Sequence, residues 1–268
     1  MWRLYFIFGI LVSCHSYKKV QFPLSHHAIT GSSFYMQCAA CNWYQRDSMA
    51  VKLLLEGNMP GFLKRFVPVH TSMLSPEGKK ITAVYYVSPD YISIGNDTDW
   101  ARIPLTPMAA QQIADTFNCF LPTRKMVDDI YEAAAVKLAP VPMYAFRDSN
   151  GRKWKHHLII EGERRGRKGL NAGIKKDVVI STDIIKNGRT DRVAICGWHL
   201  INGNPIQPLY TGHVNWYVDY SHGIRLVYRK IKVNGKWTDY KTLLNDAVLR
   251  RLICDEPDCS YFRYPITK

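Results

Sequence analysis

The sequence predicts an α+β fold with a helix-containing N-terminal half, a strand-rich C-terminal half and a mostly antiparallel sheet. Two apolar-periodic segments with good helix start signals lie between residues 106 and 140. Short β-branched and aromatic runs, separated by turn residues, dominate after residue 154. Hydrophobic residues make up 47% of the chain and charged residues 22%, a composition that supports a sizeable core.

Near the start of the chain, Arg3 is followed by nine apolar residues, Leu4 to Val12. This pattern predicts a signal peptide over residues 1–13. Leu11-Val12-Ser13-Cys14 resembles the lipobox of bacterial lipoproteins, which implies that Cys14 is lipidated and becomes the first residue. The alternatives are an ordinary signal peptide cut near Ser13 or Ser16, which would leave a soluble secreted protein, and a cytosolic protein. Nine apolar residues are about half the roughly 20 that a spanning helix needs. We therefore expect an exported, membrane-anchored lipoprotein, either periplasmic or on the cell surface.

The elements before residue 100 are predicted from turn chemistry and residue type. Residues 14–35 are polar and mixed, and we interpret them as a tether. Ser48–Glu56 is predicted as a short helix that ends at glycine and proline. Ile81–Val87 and Tyr91–Ile94 are rich in β-branched and aromatic residues, and Ser88-Pro89-Asp90 between them favours a turn. These two runs are therefore predicted to form a hairpin.

Two helices are predicted next. Thr106 can cap the first helix, and Pro107 suits its first helical position. Thr123 can cap the second helix, whose apolar residues continue over Met126–Leu138 until Pro140 stops it. Apolar residues at a spacing of four indicate that both helices pack against a core.

The C-terminal half is predicted as short strands followed by a helix. Asn234-Gly235 favours a tight turn into a strand at Trp237–Tyr240, and Tyr240–Ile253 favours a final helix. The other predicted strands are Leu158–Ile160, Val178–Ile180, Val193–Cys196 and Ile224–Val233. The predicted regions are a signal peptide (1–13), a tether (14–35), an α+β region (36–150) and a strand-rich region with the candidate site (151–268).

The chain is strongly basic, with a formal charge of +14. An exported chain with this charge meets anionic envelope polymers, lipid head groups and acidic glycans, so no nucleic-acid partner is expected. Nine Lys or Arg residues fall within Arg152–Lys176, opposed there by Glu161 and Glu163. This segment is interpreted either as a docking patch for a polyanion or as a solvated loop.

Six cysteines remain after Cys14. In an oxidising compartment an even count favours disulfides, with buried free thiols and a four-ligand zinc site as alternatives. Pairing within Cys38–Cys41 and within Cys254–Cys259 would close two short loops. A long-range pair of Cys119 with Cys196 would then remain.

The densest polar cluster lies in the second half of the chain. A zinc site would use His199, His213 and His222 with Asp219 and leave an open position for water. A nucleophilic Ser221, and a metal-free histidine–carboxylate pair, are the other mechanisms that the cluster allows. Zinc is the one cofactor that these residues suggest. The candidate catalytic residues are His199, His213, Asp219, Ser221, His222 and Arg225, and the candidate substrate-binding residues are Trp198, Trp216 and Tyr217.

Ser221-His222-Gly223-Ile224-Arg225 resembles the S-H-G-C-I-R motif of L,D-transpeptidases, envelope enzymes that crosslink peptidoglycan through a cysteine thiolate. The resemblance covers five residues, and the catalytic cysteine of the family is absent from them. It implies a histidine upstream on a neighbouring strand, a position that His199 or His213 would fill. Cys196 is the candidate substitute for the missing nucleophile.

These patterns predict an exported, lipid-anchored envelope hydrolase or transferase that acts on a peptide or glycan bond of a cell-wall or extracellular polymer. In this interpretation the histidines and Asp219 transfer protons or ligate metal, and Arg225 pairs with an anionic group. The alternative is a non-catalytic lipoprotein that binds peptidoglycan, an acidic glycan or a protein through its basic surface.

Overall fold

The computed structural model describes residues 20–23, 29–189 and 191–266. The predicted signal peptide and Cys14 lie outside the described residues. The fold is α+β with mostly antiparallel sheets, helices mainly in the N-terminal half and strands mainly in the C-terminal half, as the sequence predicts. None of the helices in these described ranges is long and apolar enough to cross a membrane.

The helices begin at side-chain caps. Thr106 and Thr123 accept hydrogen bonds from the backbone N–H groups three residues later, which confirms both predicted helix starts. The α-helices are α1 (Gly31–Gln37), α2 (Trp43–Leu55), α3 (Pro107–Thr116), α4 (Arg124–Ala133), α5 (Asn150–Arg164) and α6 (Tyr240–Asn245). Short 3-10 helices span Gly61–Lys64, Thr182–Ile184, Lys186–Gly188 and Leu249–Leu252.

The strands are short, and most belong to two sheets. They are β1 (Val67–Leu74), β2 (Lys80–Val87), β3 (Ser93–Gly95), β4 (Trp100–Arg102), β5 (Cys119–Phe120), β6 (Val136–Lys137), β7 (Asn171–Ala172), β8 (Lys176–Val179), β9 (Ala194–His199), β10 (Pro205–Tyr210), β11 (His222–Gly223), β12 (Val227–Tyr228), β13 (Lys230–Val233) and β14 (Lys236–Asp239). Asn234 and Gly235 join β13 to β14 with positive φ angles, which confirms the predicted hairpin.

A six-stranded sheet joins both halves of the chain. Its order is β14-β13-β2-β12-β5, with β1 also paired to β2. Strands from before and after residue 150 therefore share one apolar core, in which Phe120 stacks on Tyr240 at 4.0 Å between ring centroids. Phe34 and Tyr35 of α1 are buried in the same core, so the segment interpreted as a tether joins the fold at its C-terminal end.

A four-stranded sheet, β10-β9-β8-β11, supports the candidate site. Its strands β8 and β11 run parallel, with His222 opposite Lys176. Because β11 follows a loop that carries most of the predicted polar residues, this pairing holds the loop against the end of β8.

The predicted hairpin of Ile81–Val87 with Tyr91–Ile94 is wrong. Strand β2 pairs instead with β1, and Val67 lies opposite Val87. The turn between them contains Pro76 and Gly78, and its backbone closes from Gly78 N–H to Ser75 O at 2.9 Å. The Ser88-Pro89-Asp90 segment does not form a surface turn, because Asp90 is buried against Arg102.

Three other element predictions are corrected. Leu158–Ile160 belongs to helix α5, which is capped by Ser149, and not to a strand. Helix α4 ends at Ala133, because the chain then forms β6 beside β7. The predicted C-terminal helix is interrupted at Asp246, which accepts hydrogen bonds from the N–H groups that begin the next turn.

The cysteines divide into one disulfide and four free thiols among the described residues. The predicted short loop from Cys254 to Cys259 is closed by a disulfide, with its Cα atoms 6.6 Å apart. The free thiols are Cys38, Cys41, Cys119 and Cys196, so the structure contains neither the short Cys38–Cys41 bridge nor the long-range pair.

Candidate functional site

Asp219 is the centre of the candidate site. Its carboxylate is fully buried, and Oδ1 accepts hydrogen bonds from Ser221 N–H at 2.8 Å and Ser221 Oγ at 2.5 Å. Oδ2 accepts a hydrogen bond from Arg147 Nη2 at 2.9 Å. Burial acts to raise the pKa of Asp219, but His222, Ser221 and the nearby Lys176 outweigh it and hold the pKa below its usual range. The carboxylate is therefore ionised at neutral pH.

His222 lies beside this carboxylate. Its Nε2 is 3.9 Å from Asp219 Oδ1, and its side chain is 1% exposed. Burial lowers the pKa of His222 to about 3, although Asp219 acts to raise it. Neither ring nitrogen has a hydrogen-bond partner within the described part of the chain. The imidazole is thus neutral and has a free lone pair, which is the state a general base requires.

His213 and Tyr217 complete an aromatic group around His222. The His213 ring centroid lies 4.7 Å from that of Tyr217 and 6.1 Å from that of His222. Burial lowers the pKa of His213, against the opposing effect of Asp219. The structure therefore brings together four of the predicted polar residues, His213, Asp219, Ser221 and His222, with Tyr217 beside them.

A cavity of about 590 Å³ borders this group. Tyr217 connects the two, because its ring lines the cavity and also lies 6.1 Å from the His222 ring. Trp216, which is 45% exposed, lines the same cavity. The rest of the lining comes from the α1–α2 connection, the first turn of α2 and the start of α5. Its residues include Cys41, Trp43, Arg46, Asp148 and Asn150.

Trp198 does not line this cavity. It is 6% exposed and packs with Met143 and Tyr220. The Lys176 ammonium lies 4.9 Å from the Trp198 ring centroid, a cation–π contact. Trp198 therefore packs against Lys176 and is not positioned to stack on a substrate in this cavity.

The sequence did not predict two buried lysines that lie near the site, Lys175 and Lys153. Lys175 Nζ donates hydrogen bonds to Tyr220 O at 2.5 Å and to His156 Nδ1 at 3.1 Å. Lys153, at 0% exposure, donates to the Asp148 carbonyl, and burial lowers its pKa to about 7. The sequence did carry a signal for the first of these, since two lysines precede the apolar run Val178–Ile180. Lysines inside a buried strand are rare without a partner.

His199 and Arg225 lie away from Asp219. His199 Nε2 is 2.9 Å from Asp128 Oδ1, and its ring stacks on Tyr131 at 4.3 Å. Arg225 is fully buried and donates hydrogen bonds to the carbonyls of Ser88 and Asn171. Arg225 Nε also lies 3.8 Å from Oδ1 of the buried Asp177, so the carboxylate that it meets belongs to the protein itself. The predicted pairing of Arg225 with an anionic group of a substrate stays a prediction.

Gly223 follows His222 for a packing reason. A Cβ atom at this position would lie 2.5 Å from the Tyr91 ring and 2.7 Å from Lys175 Cβ. Such distances are shorter than any normal contact, so this backbone approach requires glycine.

The alternative mechanisms fit the geometry less well. No group of three or more His, Cys, Asp or Glu side chains in the described ranges is arranged to hold a metal ion, and His199 lies apart from the other two histidines. The Ser221 hydroxyl donates to Asp219, so a histidine does not activate it. Cys196 is 2% exposed, and burial raises its pKa well above the usual value, which disfavours the thiolate.

Comparisons of the chain with protein-family models, with curated proteins and with solved structures gave no significant match. The contacts of the chain's own residues are therefore the basis for its proposed function.

Proposed function

We propose that this protein is an exported, lipid-anchored envelope hydrolase or transferase that acts on a peptide or glycan bond of a cell-wall or extracellular polymer. The observation that carries the proposal is the neutral His222, whose ring nitrogens have no partner among the described residues, beside the ionised Asp219. Buried titratable groups whose pKa values are strongly shifted occur often at catalytic sites.

In the proposed reaction His222 acts as the general base. It would take a proton from the attacking water or acceptor hydroxyl, and the resulting imidazolium would be stabilised by Asp219 3.9 Å away. Ser221 and Arg147 hold the carboxylate by hydrogen bonds. They are positioning residues, because they fix the charge that stabilises the protonated base.

The cavity supplies the proposed binding surface. Tyr217 and Trp216 present aromatic faces, which can stack on the apolar face of a sugar ring. Arg147 is 42% exposed and lies at Asp219, so it can also contact an anionic group of the substrate. Acidic peptide and glycan components of an envelope polymer match this combination of aromatic and cationic groups.

Turnover on a panel of peptidoglycan and glycan substrates tests the proposal. Wild-type protein should release soluble fragments, and His222→Gln should not, because glutamine cannot accept the proton at neutral pH. His70→Gln is the matched control, since His70 is exposed on β1. An absence of turnover by the wild type on every substrate would contradict the enzymatic proposal.

A second candidate is a polyanion-binding lipoprotein, and one surface favours it. Lys155, Arg165, Arg167 and Lys168 are exposed at α5 and the loop after it. Arg165, Arg167 and Lys137 also line an open depression of about 660 Å³. Four of the nine basic residues between 152 and 176 are buried, so this surface carries less charge than the sequence suggests. The buried residues are Lys153, Arg164, Lys175 and Lys176.

A further inference from the structure

Cys38 and Cys41 occupy the two ends of a tight turn between α1 and α2. Cys38 follows the last residue of α1, and Cys41 N–H donates a hydrogen bond to Cys38 O at 3.0 Å. A turn closed in this way holds its first and fourth Cα atoms within about 7 Å. Disulfides bridge Cα atoms about 4.4 to 6.8 Å apart, so this backbone can accommodate a bond between the two thiols.

Asn150 fixes this turn from the other side. Its Nδ2 donates hydrogen bonds to Cys38 O at 2.6 Å and Cys41 O at 2.9 Å. Asn150 is 5% exposed and lines the 590 Å³ cavity, and its Oδ1 has no partner among the described residues. Because the clamp acts on the backbone carbonyls, it can hold the turn in the same shape whether the sulfur atoms are reduced or bonded.

The two thiols differ in access. Cys41 is half-buried and lines the cavity, whereas Cys38 is fully buried behind it. Burial and the neighbouring Cys41 together raise the pKa of Cys38 to about 11. A reagent in the cavity would therefore meet Cys41 first, and Cys38 would react only from within the protein.

We propose that Cys38 and Cys41 form a redox-active dithiol site that opens on the cavity and takes a small-molecule or peptide disulfide as its substrate. Cys41 loses its proton to solvent, and its thiolate attacks one sulfur of the disulfide. The reagent's S–S bond breaks, and one thiolate leaves. Cys38 then gives its proton to solvent, and its thiolate attacks Cys41 Sγ. The mixed disulfide breaks, and the second thiolate of the reagent leaves. The protein loses two electrons, and the reagent gains them.

This inference does not depend on hydrolysis or group transfer by His222. The proposed disulfide exchange takes place at the α1–α2 connection, a different part of the lining of the same cavity. The two proposals can therefore fail independently, since one is measured by polymer turnover and the other by the oxidation state of two cysteines.

The first experiment uses the reduced full-length protein and brief treatment with iodoacetamide, followed by peptide mass mapping. Cys41 should be alkylated faster than the other free thiols, on the order of tenfold or more, because it alone among those described is accessible. Cys119 and Cys196 are internal controls, since both are buried with raised pKa values. Equal or slower labelling of Cys41 would overturn the proposal.

The second experiment treats the reduced protein with oxidised glutathione. Wild-type protein should form a Cys38–Cys41 bond and retain no glutathione. Cys38→Ser should stop at one glutathione attached to Cys41, and Cys41→Ser should gain neither product. If the wild type keeps glutathione on Cys41 and does not form the internal bond, Cys38 does not act as the resolving thiol and the proposal is overturned. The results for the wild-type protein do not depend on whether either variant folds.

Discussion

His222 Nε2 lies 3.9 Å from Asp219 Oδ1, too far for a hydrogen bond but close enough for strong electrostatic coupling in a buried site. The pKa of each residue is lowered, so one is a carboxylate and the other a neutral imidazole at neutral pH. A proton taken up by the imidazole would form an ion pair shielded from water. The two residues should therefore act as a unit.

We expect His222→Ala and Asp219→Ala each to reduce turnover by about a hundredfold or more, with little further loss in the double variant. The loss is non-additive because Asp219 acts through the charge on His222. Turnover and thermal unfolding should be measured on the same proteins. A free energy of unfolding that falls by about 1 to 2 kcal/mol, seen as a lower melting temperature, with turnover unchanged, would mean that the residues only hold the loop.

Stability should fall as the pH drops below about 6.5, the usual pKa of histidine in an unfolded chain. Burial lowers the pKa of His222 to about 3 and those of His156 and His157 below their usual value. The unfolded chain therefore takes up protons that the folded chain does not, at about 1.4 kcal/mol per pH unit for each histidine once the pH is well below 6.5.

Urea denaturation between pH 7 and pH 5 measures this slope. His157→Gln should reduce it by up to about 1.4 kcal/mol per pH unit, since one histidine with a lowered pKa is removed. The exposed His70→Gln should leave it unchanged. An unaltered slope in His157→Gln would show that this residue is protonated in the folded protein.

The Cys254–Cys259 disulfide should stabilise the C-terminal region by about 2 kcal/mol, the chain-entropy value for so short a loop. Cys254→Ser combined with Cys259→Ser should lower the melting temperature accordingly. A reducing agent should destabilise the wild type by the same amount and leave the double variant unaffected. Equal melting temperatures for both proteins without reductant would argue against a stabilising bond.

Binding to an acidic glycan should depend on the exposed cations after α5. Arg165→Ala combined with Lys168→Ala should weaken heparin affinity by about tenfold at low salt, because each exposed charge contributes up to about 1 kcal/mol. The difference should shrink as salt screens the charges. Lys79→Ala combined with Lys80→Ala removes the same charge from another exposed site. Equal weakening by both pairs would mean that only net charge matters.

Cys14→Ser should abolish lipid attachment and move the protein from the membrane fraction to the soluble fraction, as the lipobox resemblance implies. Labelling with a radioactive fatty acid, together with fractionation after a carbonate wash, measures both effects. Cys119→Ser is a suitable control, since that thiol is buried in the fold. Membrane retention of Cys14→Ser would indicate another anchor.

Local signals in the sequence predicted part of the fold. The caps at Thr106 and Thr123 and the Asn234-Gly235 turn act over a few residues, and all three are confirmed. Leu158–Ile160 was assigned wrongly because an apolar run of three residues fits a buried strand and a helix face equally well. Such short local patterns do not determine which strands pair with each other, as β1 does with β2.

The candidate site divides in the same way. Asp219 and His222 are three residues apart, so their proximity follows from the chain itself. Arg147 and Cys41 approach the site only through folding, from positions far away in the sequence. His199 has the residue type of a site histidine, but its strand carries it to Asp128.

The close approach of Gly223 to Tyr91 affects how a mutational scan of residues 221–225 would be interpreted. Substitutions at Gly223 and Arg225 should be selected against because they disrupt the packing of the backbone and the buried guanidinium. Substitutions at His222 should be tolerated by the fold and rejected only when activity is selected. Two parallel selections, one for abundance and one for activity, would separate positions that maintain the structure of this segment from the position proposed to act as the general base.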